Sequence, residues 1–117
     1  MKELQPRVKL WFNSANVQGA FGDGKWRLLR AIGSEGSLQA ASQLLRISYR
    51  KAWGDLQKTQ AALGINLVEK QRGGRRGGQT VLTDAGRNWV EAYMQFRQDI
   101  EKAIARAYRK HLLELTR

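Results

Sequence analysis

The chain has 117 residues, with 21 lysines and arginines against 10 aspartates and glutamates, which gives a formal net charge of +11. It contains no cysteine, which excludes disulfides and thiolate zinc sites, and it has neither a signal-peptide pattern nor an apolar run approaching the roughly 18 residues of a membrane span. One basic cytoplasmic domain, with or without an appended helix, is expected, and nucleic acid is a better candidate partner than a membrane surface.

Residues 1–21 predict a polar lead followed by a β-hairpin. Residues 8–12 alternate in part, so that Val8, Leu10 and Phe12 share a face, and residues 13–16 have the composition of a turn. An isolated hairpin is only marginally stable in water. We therefore expect it to pack on the helices or on a second subunit.

A first helix is predicted after this hairpin. Asp23 can cap its N-terminus, and the Gly-Ser-Glu-Gly run at residues 33–36 is expected to stop it. Its inner side carries Trp26, Leu29, Ala31 and Ile32. We interpret Trp26, like Trp53 and Trp89, as a core residue rather than a side chain that stacks on bases.

Residues 37–63 predict two helices joined by a short turn. Ser37 caps the first helix, Arg46 and Ile47 form the turn, and Ser48 caps the second helix. The apolar face of the first helix is expected to consist of Leu38, Ala41, Leu44 and Leu45. The inward stripe of the second is expected to consist of Ala52, Trp53, Leu56, Gln60 and Leu63.

The outward face of the second helix carries hydroxyl and basic side chains. Its members are Ser48, Tyr49, Arg50, Lys51, Gly54 and Lys58. Such a face suits insertion into a DNA major groove, where either Arg50 or Lys51 can donate to guanine, and all of these residues except Gly54 are candidate DNA contacts. The alternative is an ordinary helical hairpin with a solvated basic face.

Residues 67–82 predict a second hairpin with a basic tip. Strands at 67–71 and 80–82 flank residues 72–79, where Arg72, Arg75 and Arg76 alternate with glycines. After a helix pair of this kind the hairpin reads as a wing whose arginines pair with phosphates or enter a minor groove. A phosphate-binding P-loop would need a Gly-Lys-Ser/Thr ending, which is absent. A plain flexible loop is the other alternative.

A last helix is predicted from the Thr83 cap to Arg117, because neither proline nor a glycine after Gly86 interrupts it. About 33 residues would span about 50 Å, which is longer than a small domain requires. Its apolar stripe is therefore expected to pair with the same helix of a second subunit, and a fraying tail is the alternative. The predicted dimer interface consists of Tyr93, Phe96, Ile100, Ile104 and Tyr108.

Four segments carry a family resemblance: GSLQAA at 36–41, ISYRKAW at 47–53, LVEK with GGRRGG at 67–70 and 73–78, and LTDAG at 82–86. Together they resemble the N-terminal DNA-binding domain of the ModE family, which are molybdate-responsive transcription regulators. More distantly they resemble the winged helix-turn-helix of the LysR family. The match covers about residues 22–110 in order.

This resemblance implies a mainly α fold with small β content: a winged helix-turn-helix with an N-terminal β-hairpin and a long C-terminal dimerisation helix. The implied organisation is 1–21 for the lead and hairpin, 22–86 for the DNA-binding domain and 83–117 for the dimer helix, with recognition by residues 48–63. In the family, molybdate-binding domains follow the long helix, where this chain stops, so we expect a single-domain relative or a cut piece. No cofactor is expected, and molybdate only if an effector domain exists outside this chain.

The sequence thus predicts a transcription regulator that binds double-stranded DNA as a homodimer on a palindromic operator. The alternative is a non-specific nucleoid-type DNA binder or RNA binder, which the basic charge fits equally well. An enzyme is not expected, because the single histidine, His111, lies in the last helix and the carboxylates form no paired or metal-spaced cluster. No catalytic or metal-binding residue is assigned.

Overall fold

The computed structural model describes residues 3–71 and 79–117. In chain order its elements are β1 (Trp11–Phe12), β2 (Phe21–Gly22), α1 (Asp23–Glu35), α2 (Leu38–Leu45), α3 (Tyr49–Leu63), β3 (Val68–Gln71), β4 (Gln79–Leu82) and α4 (Asp84–His111). This is the predicted mainly α fold with small β-hairpins. Leu10–Val90 forms one compact unit, and the N-terminal segment with Glu91–Arg117 forms a second.

The first hairpin is shorter than the sequence predicted. Strands β1 and β2 pair antiparallel, with Trp11 opposite Gly22 and Phe12 opposite Phe21. Asp23 does not cap α1 as expected, because Gly22 holds the N-cap position. The Asp23 carboxylate instead accepts a hydrogen bond of 3.1 Å from the Leu10 nitrogen, which fastens the hairpin to the start of the helix.

The helix starts predicted from hydroxyl residues are confirmed. Ser37 Oγ accepts from the Ala40 nitrogen, and Ser48 Oγ accepts from the Lys51 nitrogen, each at 3.0 Å. These bonds satisfy amides that the first helical turn leaves without an intrahelical acceptor. Between the two helices, Arg46 adopts the left-handed conformation with φ 58°, which closes the short turn.

The glycine run at 33–36 is only in part a helix stop. Gly33 lies inside α1, and the helix ends one turn later at a left-handed Gly36. A Cβ atom on Gly33 would approach the Leu82 side chain to 3.1 Å, so the absence of a side chain lets α1 lie close to β4. Gly33 therefore serves packing rather than termination.

The core of the first unit lies between the three helices and the strands. Phe21, Leu29, Ile32, Leu67 and Thr59 have the largest fully buried side chains. The prediction that Leu44 lies on the inner face of α2 is wrong, because its side chain is 57% exposed. Helix α2 is only eight residues long, so its buried face narrows to Leu38, Ala41 and Ser42.

The second hairpin follows the predicted strands. β3 and β4 pair antiparallel from Val68 opposite Leu82 to Gln71 opposite Gln79. Immediately after β4, Thr83 Oγ1 accepts a 3.0 Å hydrogen bond from the Gly86 nitrogen, as expected of an N-cap. A Cβ atom on Gly86 would overlap the Leu67 carbonyl oxygen, so only glycine fits this approach of helix to chain.

Helix α4 ends before the predicted terminus. It has 28 residues and stops at His111, after which Leu113–Thr116 forms a short 3₁₀ turn. No proline or glycine marks this end in the sequence. Thr116 Oγ1 instead lies 3.1 Å from the Tyr108 hydroxyl and donates to the Leu113 carbonyl at 2.8 Å, so side-chain hydrogen bonds stabilise the turn that follows the helix.

Within the second unit an extended N-terminal segment lies along α4. The Leu4 nitrogen donates to the Tyr108 hydroxyl at 3.2 Å, and Arg97 donates to the Val8 carbonyl at 3.2 Å. Arg97 also forms an ion pair of 3.4 Å with Glu101, one turn further along the helix.

Among the residues that the structure describes, no helix combines the length and apolarity that crossing a membrane demands.

Candidate nucleic-acid interface

Helix α3 separates a buried face from an exposed one. Ala52, Leu56 and Thr59 are buried, as their three- and four-residue spacing dictates. Thr59 was missed by sequence reasoning because a polar residue does not register in an apolar pattern. Its hydroxyl donates to the Ala20 carbonyl, which ties α3 to the first hairpin.

The candidate contacts predicted for the second helix of the pair lie on the exposed face of α3 or at its N-cap. Ser48, Tyr49, Arg50, Lys51 and Lys58 are each exposed. Within residues 3–71 and 79–117 nothing covers them, so the side chains can reach a partner in the groove-inserting manner that the sequence suggested. Whether they contact DNA stays a prediction.

The interpretation of Trp53 as a core residue is wrong. Its side chain is 49% exposed. Successive helical residues are rotated by about 100°, so Trp53 points well away from its buried neighbour Ala52. Because the buried stripe of α3 is narrow, Trp53 lies at the margin of the exposed face. By contrast Trp26 and Trp89 are both partly buried, and the Trp89 ring lies 4.9 Å from the Phe21 ring.

A cluster of cations surrounds the side of α3 that faces α1. Lys51 pairs with Asp55 at 3.1 Å, and the Lys58 ammonium lies 3.8 Å from the Cβ position of Gly19 in the first hairpin. Lys25, in the first turn of α1, belongs to the same cluster. Burial lowers its pKa below 10.5, attraction to Asp55 opposes that change, and repulsion by Lys58 and Lys51 adds to it.

Sequence reasoning missed Lys25. The signal for it was weak, because a single lysine in the first turn of a helix has no pattern, and only the fold brings it beside Lys51 and Lys58. Three ammonium groups grouped around one carboxylate give this side of the unit a positive potential. Such a potential attracts a polyanion and suits contact with a phosphate backbone.

The base of the second hairpin is attached directly to α3. Gln60 Oε1 accepts hydrogen bonds from the Leu67 nitrogen at 2.8 Å and from the Val68 nitrogen at 3.2 Å. These bonds fix where β3 leaves the helix. The predicted wing contacts Arg72, Arg75 and Arg76 lie outside the described residues.

The predicted dimer residues on α4 differ in exposure. Tyr93 and Tyr108 are buried within the single chain, whereas Phe96 is 40% exposed. Ile100 and Ile104 are partly buried. In the second unit, Ile104 lines a cavity of about 300 Å³ together with residues 5–8 and Arg97. Phe96 is therefore the member that presents the most surface.

Across residues 3–71 and 79–117, no three histidine, aspartate or glutamate side chains are grouped closely enough to hold a metal ion. His111 is exposed at the last residue of α4. Among the described residues, the exposed face of α3 is thus the candidate functional surface.

Helices α2 and α3 each bury one face, the outward face of α3 is basic and exposed, and a β-hairpin follows. This arrangement defines a helix-turn-helix protein. The family described as "Bacterial regulatory helix-turn-helix protein, lysR family" matches residues 24–87, and this chain belongs to it. The matched range contains α1 from its second residue, α2, α3, both strands of the second hairpin and the start of α4.

Within this class the chain is similar to ModE proteins. It is 36% identical over 91 residues to the "Molybdenum transport protein ModE" of Azotobacter vinelandii, covering 78% of this chain and 34% of that protein. It is 33% identical over 76 residues to the "DNA-binding transcriptional dual regulator ModE" of Escherichia coli K12, covering 65% and 29%. The resemblance to the ModE DNA-binding domain is confirmed, and the chain spans about a third of these relatives.

The fold is shared with solved DNA-binding domains. The crystal structure of the CbnR_DBD–DNA complex superimposes with a TM-score of 0.59 at 23% identity, covering 74% of this chain and 94% of that one. The crystal structure of the BenM_DBD/benA site 1 DNA complex superimposes with a TM-score of 0.57 at 21% identity. These likenesses confirm the winged-helix fold.

Proposed function

We propose that this chain is the DNA-binding part of a sequence-specific transcription regulator that works on double-stranded DNA in the cytoplasm. The observation that carries the proposal is the exposed face of α3, where Arg50, Lys51 and Lys58 stand opposite a buried stripe in a helix-turn-helix of the lysR family. The similarity to regulators whose names include DNA binding supports it. We assign no catalytic role to any residue.

In the proposed mechanism α3 lies in the major groove. Arg50 and Lys51 extend from its first turn, where recognition helices contact base edges, and either can donate to guanine O6 and N7. Lys51 is in part engaged by Asp55, whereas no carboxylate pairs with Arg50 among the described ion pairs. Arg50 is therefore our first choice for the base-reading side chain.

Lys25 and Lys58 are proposed to contact the phosphates beside the groove. They lie at one edge of the exposed face rather than at its centre, as side chains that contact the backbone should. The wing arginines Arg72, Arg75 and Arg76 remain proposed phosphate or minor-groove contacts. Each phosphate neutralised should add about 0.9 to the slope of log affinity against log salt.

We further propose that the protein binds as a homodimer through α4. At 28 residues the helix is about 42 Å long. The exposed Phe96 and the partly buried Ile100 lie one turn apart on its apolar face, where the same helix of a second copy can pack. Two copies would present two α3 helices to a palindromic operator with half-sites about one helical turn, or a multiple of it, apart.

Binding to a random-sequence DNA pool, followed by selection and titration of the enriched operator at several salt concentrations, tests the proposal. Enrichment of a palindrome supports a dimeric, sequence-specific regulator. Tight binding with a steep salt dependence and no enriched sequence would overturn it in favour of a non-specific nucleoid-type DNA binder or RNA binder.

A matched variant makes the selection informative about α3. Arg50→Ala should lower affinity for the selected operator by about 10- to 100-fold, while affinity for random DNA changes far less. Equal losses on both kinds of DNA would show that Arg50 contacts phosphate. Including molybdate in one arm of the titration asks whether these residues respond to that anion, and we expect no change in affinity, because no effector site is assigned to them.

A further inference from the structure

Two aromatic side chains are exposed on the helix proposed to enter DNA. Tyr49 and Trp53 are each 49% exposed. They are four residues apart on α3, so their side chains neighbour each other on one face. We name this pair the aromatic step. Large apolar surface left in water on the functional face of a small domain commonly marks a binding contact.

The aromatic step has a fixed place on that face. Trp53 precedes Gln60 by seven residues, two helical turns, so both point toward the side of α3 from which the second hairpin departs. Lys51 and Lys58 stand on the other side, next to Lys25. The exposed face therefore has one charged edge and one aromatic edge, with Arg50 between them.

Gly54 leaves open space on the exposed face of α3. It lies in the interior of α3, where glycine is less favourable than alanine by about 0.5–1 kcal/mol. A Cβ atom on it would meet no described atom within 4 Å, so packing against the described residues does not require glycine there. The gap it leaves, directly after Trp53, allows a partner surface to approach the helix backbone closely.

Resting on the proposed function, we propose that the aromatic step contacts thymine C5-methyl groups in the major groove and so selects thymines beside the base that Arg50 reads. The thymine methyl is the apolar group that base pairs present in the major groove, and it is the counterpart an aromatic side chain can bury there. The charged edge meets phosphates, which have no affinity for an apolar ring. The two edges of α3 thus match two different parts of one DNA groove.

The cations disfavour another protein as the occupant. A protein that buried Tyr49 and Trp53 would also cover Arg50 and approach the lysines, and it would need an acidic surface to offset their desolvation. DNA supplies that negative charge in any sequence. A single strand stacked on the two rings is the remaining possibility, and the experiment includes it as an outcome.

The test uses the operator selected by the wild-type protein. Each thymine is replaced in turn by deoxyuridine, which lacks only the C5-methyl group, and affinities are measured by titration. At one or two positions in each half-site we expect a loss of about fourfold per methyl group, the size expected for one buried methyl. Trp53→Ala should bind the thymine operator less tightly and no longer distinguish thymine from deoxyuridine at those positions.

Lys58→Ala is the matched control, because it removes a proposed phosphate contact from the same helix. It should lower affinity for both DNAs alike and keep the thymine preference. Circular dichroism and thermal unfolding of Trp53→Ala should match the wild type, since an exposed side chain is removed, and Trp53→Phe should restore part of the preference.

Three results would overturn the inference. The wild type could bind both DNAs equally at every thymine, Trp53→Ala could keep the full thymine preference, or single-stranded DNA could bind more tightly than the duplex in a Trp53-dependent way. Failure of the proposed function can be distinguished from failure of this inference. It would appear in the preceding step, as a selection from the random pool that enriches no sequence.

Discussion

Gln60 accepts a hydrogen bond of 2.8 Å from the backbone nitrogen of Leu67, which joins α3 to the chain that becomes the second hairpin. The same side-chain oxygen also accepts from Val68. A single glutamine thereby couples the two parts of the unit that are proposed to contact DNA.

Replacing this glutamine should destabilise the fold. Gln60→Leu keeps the approximate size of the side chain but leaves two partly buried N–H groups without their acceptor, which we expect to cost about 1–3 kcal/mol. Urea unfolding would measure it. Gln57→Leu, an exposed position on the same helix, is the control and should stay within about 0.5 kcal/mol of the wild type. An unchanged urea midpoint for Gln60→Leu would show that water replaces both bonds.

Gly86→Ala should be strongly destabilising, because the added methyl overlaps the Leu67 carbonyl oxygen. Backbone on both sides cannot move as easily as a side chain, so we expect a loss of at least about 1–3 kcal/mol. The matched control is Gly24→Ala in α1, where no described atom lies within 4 Å of the new Cβ. That change should be neutral or stabilise by up to about 1 kcal/mol. Thermal unfolding of both variants decides, and equal midpoints would contradict the packing argument.

Lys25→Met should separate stability from DNA binding. The lowered pKa of Lys25 means that the folded chain disfavours its protonated form. Between that lowered pKa and 10.5 the unfolded chain binds more protons, so the contribution of Lys25 to stability rises as the pH rises through this window. Removing the charge should therefore leave stability at pH 7 unchanged or higher, and should flatten the rise at alkaline pH.

The same variant should weaken DNA binding. Losing one phosphate contact should reduce the slope of log affinity against log salt by about 0.9. Lys110→Met, which removes an exposed lysine near the end of α4, serves as the control for net charge and should leave that slope nearly unchanged. Equal effects of the two variants would mean that Lys25 acts only through total charge.

Phe96→Glu should weaken the proposed dimer. A carboxylate placed in an apolar helix seam loses hydration without gaining a partner, and we expect the dimer dissociation constant to rise by about 10- to 100-fold. Gln98→Glu adds the same charge at an exposed position two residues on, which the helical repeat turns away from Phe96. Analytical ultracentrifugation over a concentration series would compare them, and an unshifted constant for Phe96→Glu would move the interface elsewhere.

The parts of the fold that depend on local chemistry could be predicted from the sequence. Ser37, Ser48 and Thr83 cap helices because a hydroxyl beside a free amide bonds to it in almost any context. The outward face of α3 was likewise readable, since it needs only the helical repeat and the basic side chains.

The parts that depend on neighbours could not be predicted. Apolar character placed Trp53 and Leu44 inside, but the buried stripes of their helices are too narrow to cover them. Asp23 is a residue type that commonly caps helices, but its carboxylate accepts a hydrogen bond from the Leu10 nitrogen in the first hairpin. The position of Lys25 beside Lys51 and Lys58 follows from contacts between segments distant in sequence. The end of α4 is accompanied by hydrogen bonds of Thr116 to Tyr108 and Leu113, which no apolar pattern encodes.

The ion pair between Lys51 and Asp55 has a consequence for how fast a regulator finds its target. A carboxylate 3.1 Å from the lysine offsets part of the attraction that this face has for any polyanion. On a chromosome, where unrelated sequence vastly outnumbers operators, a weaker hold shortens each futile visit. Hydrogen bonds to bases form only at the operator, and this weaker electrostatic attraction does not reduce them. Asp55 would then lower the affinity for DNA of any sequence and shorten the search for the operator.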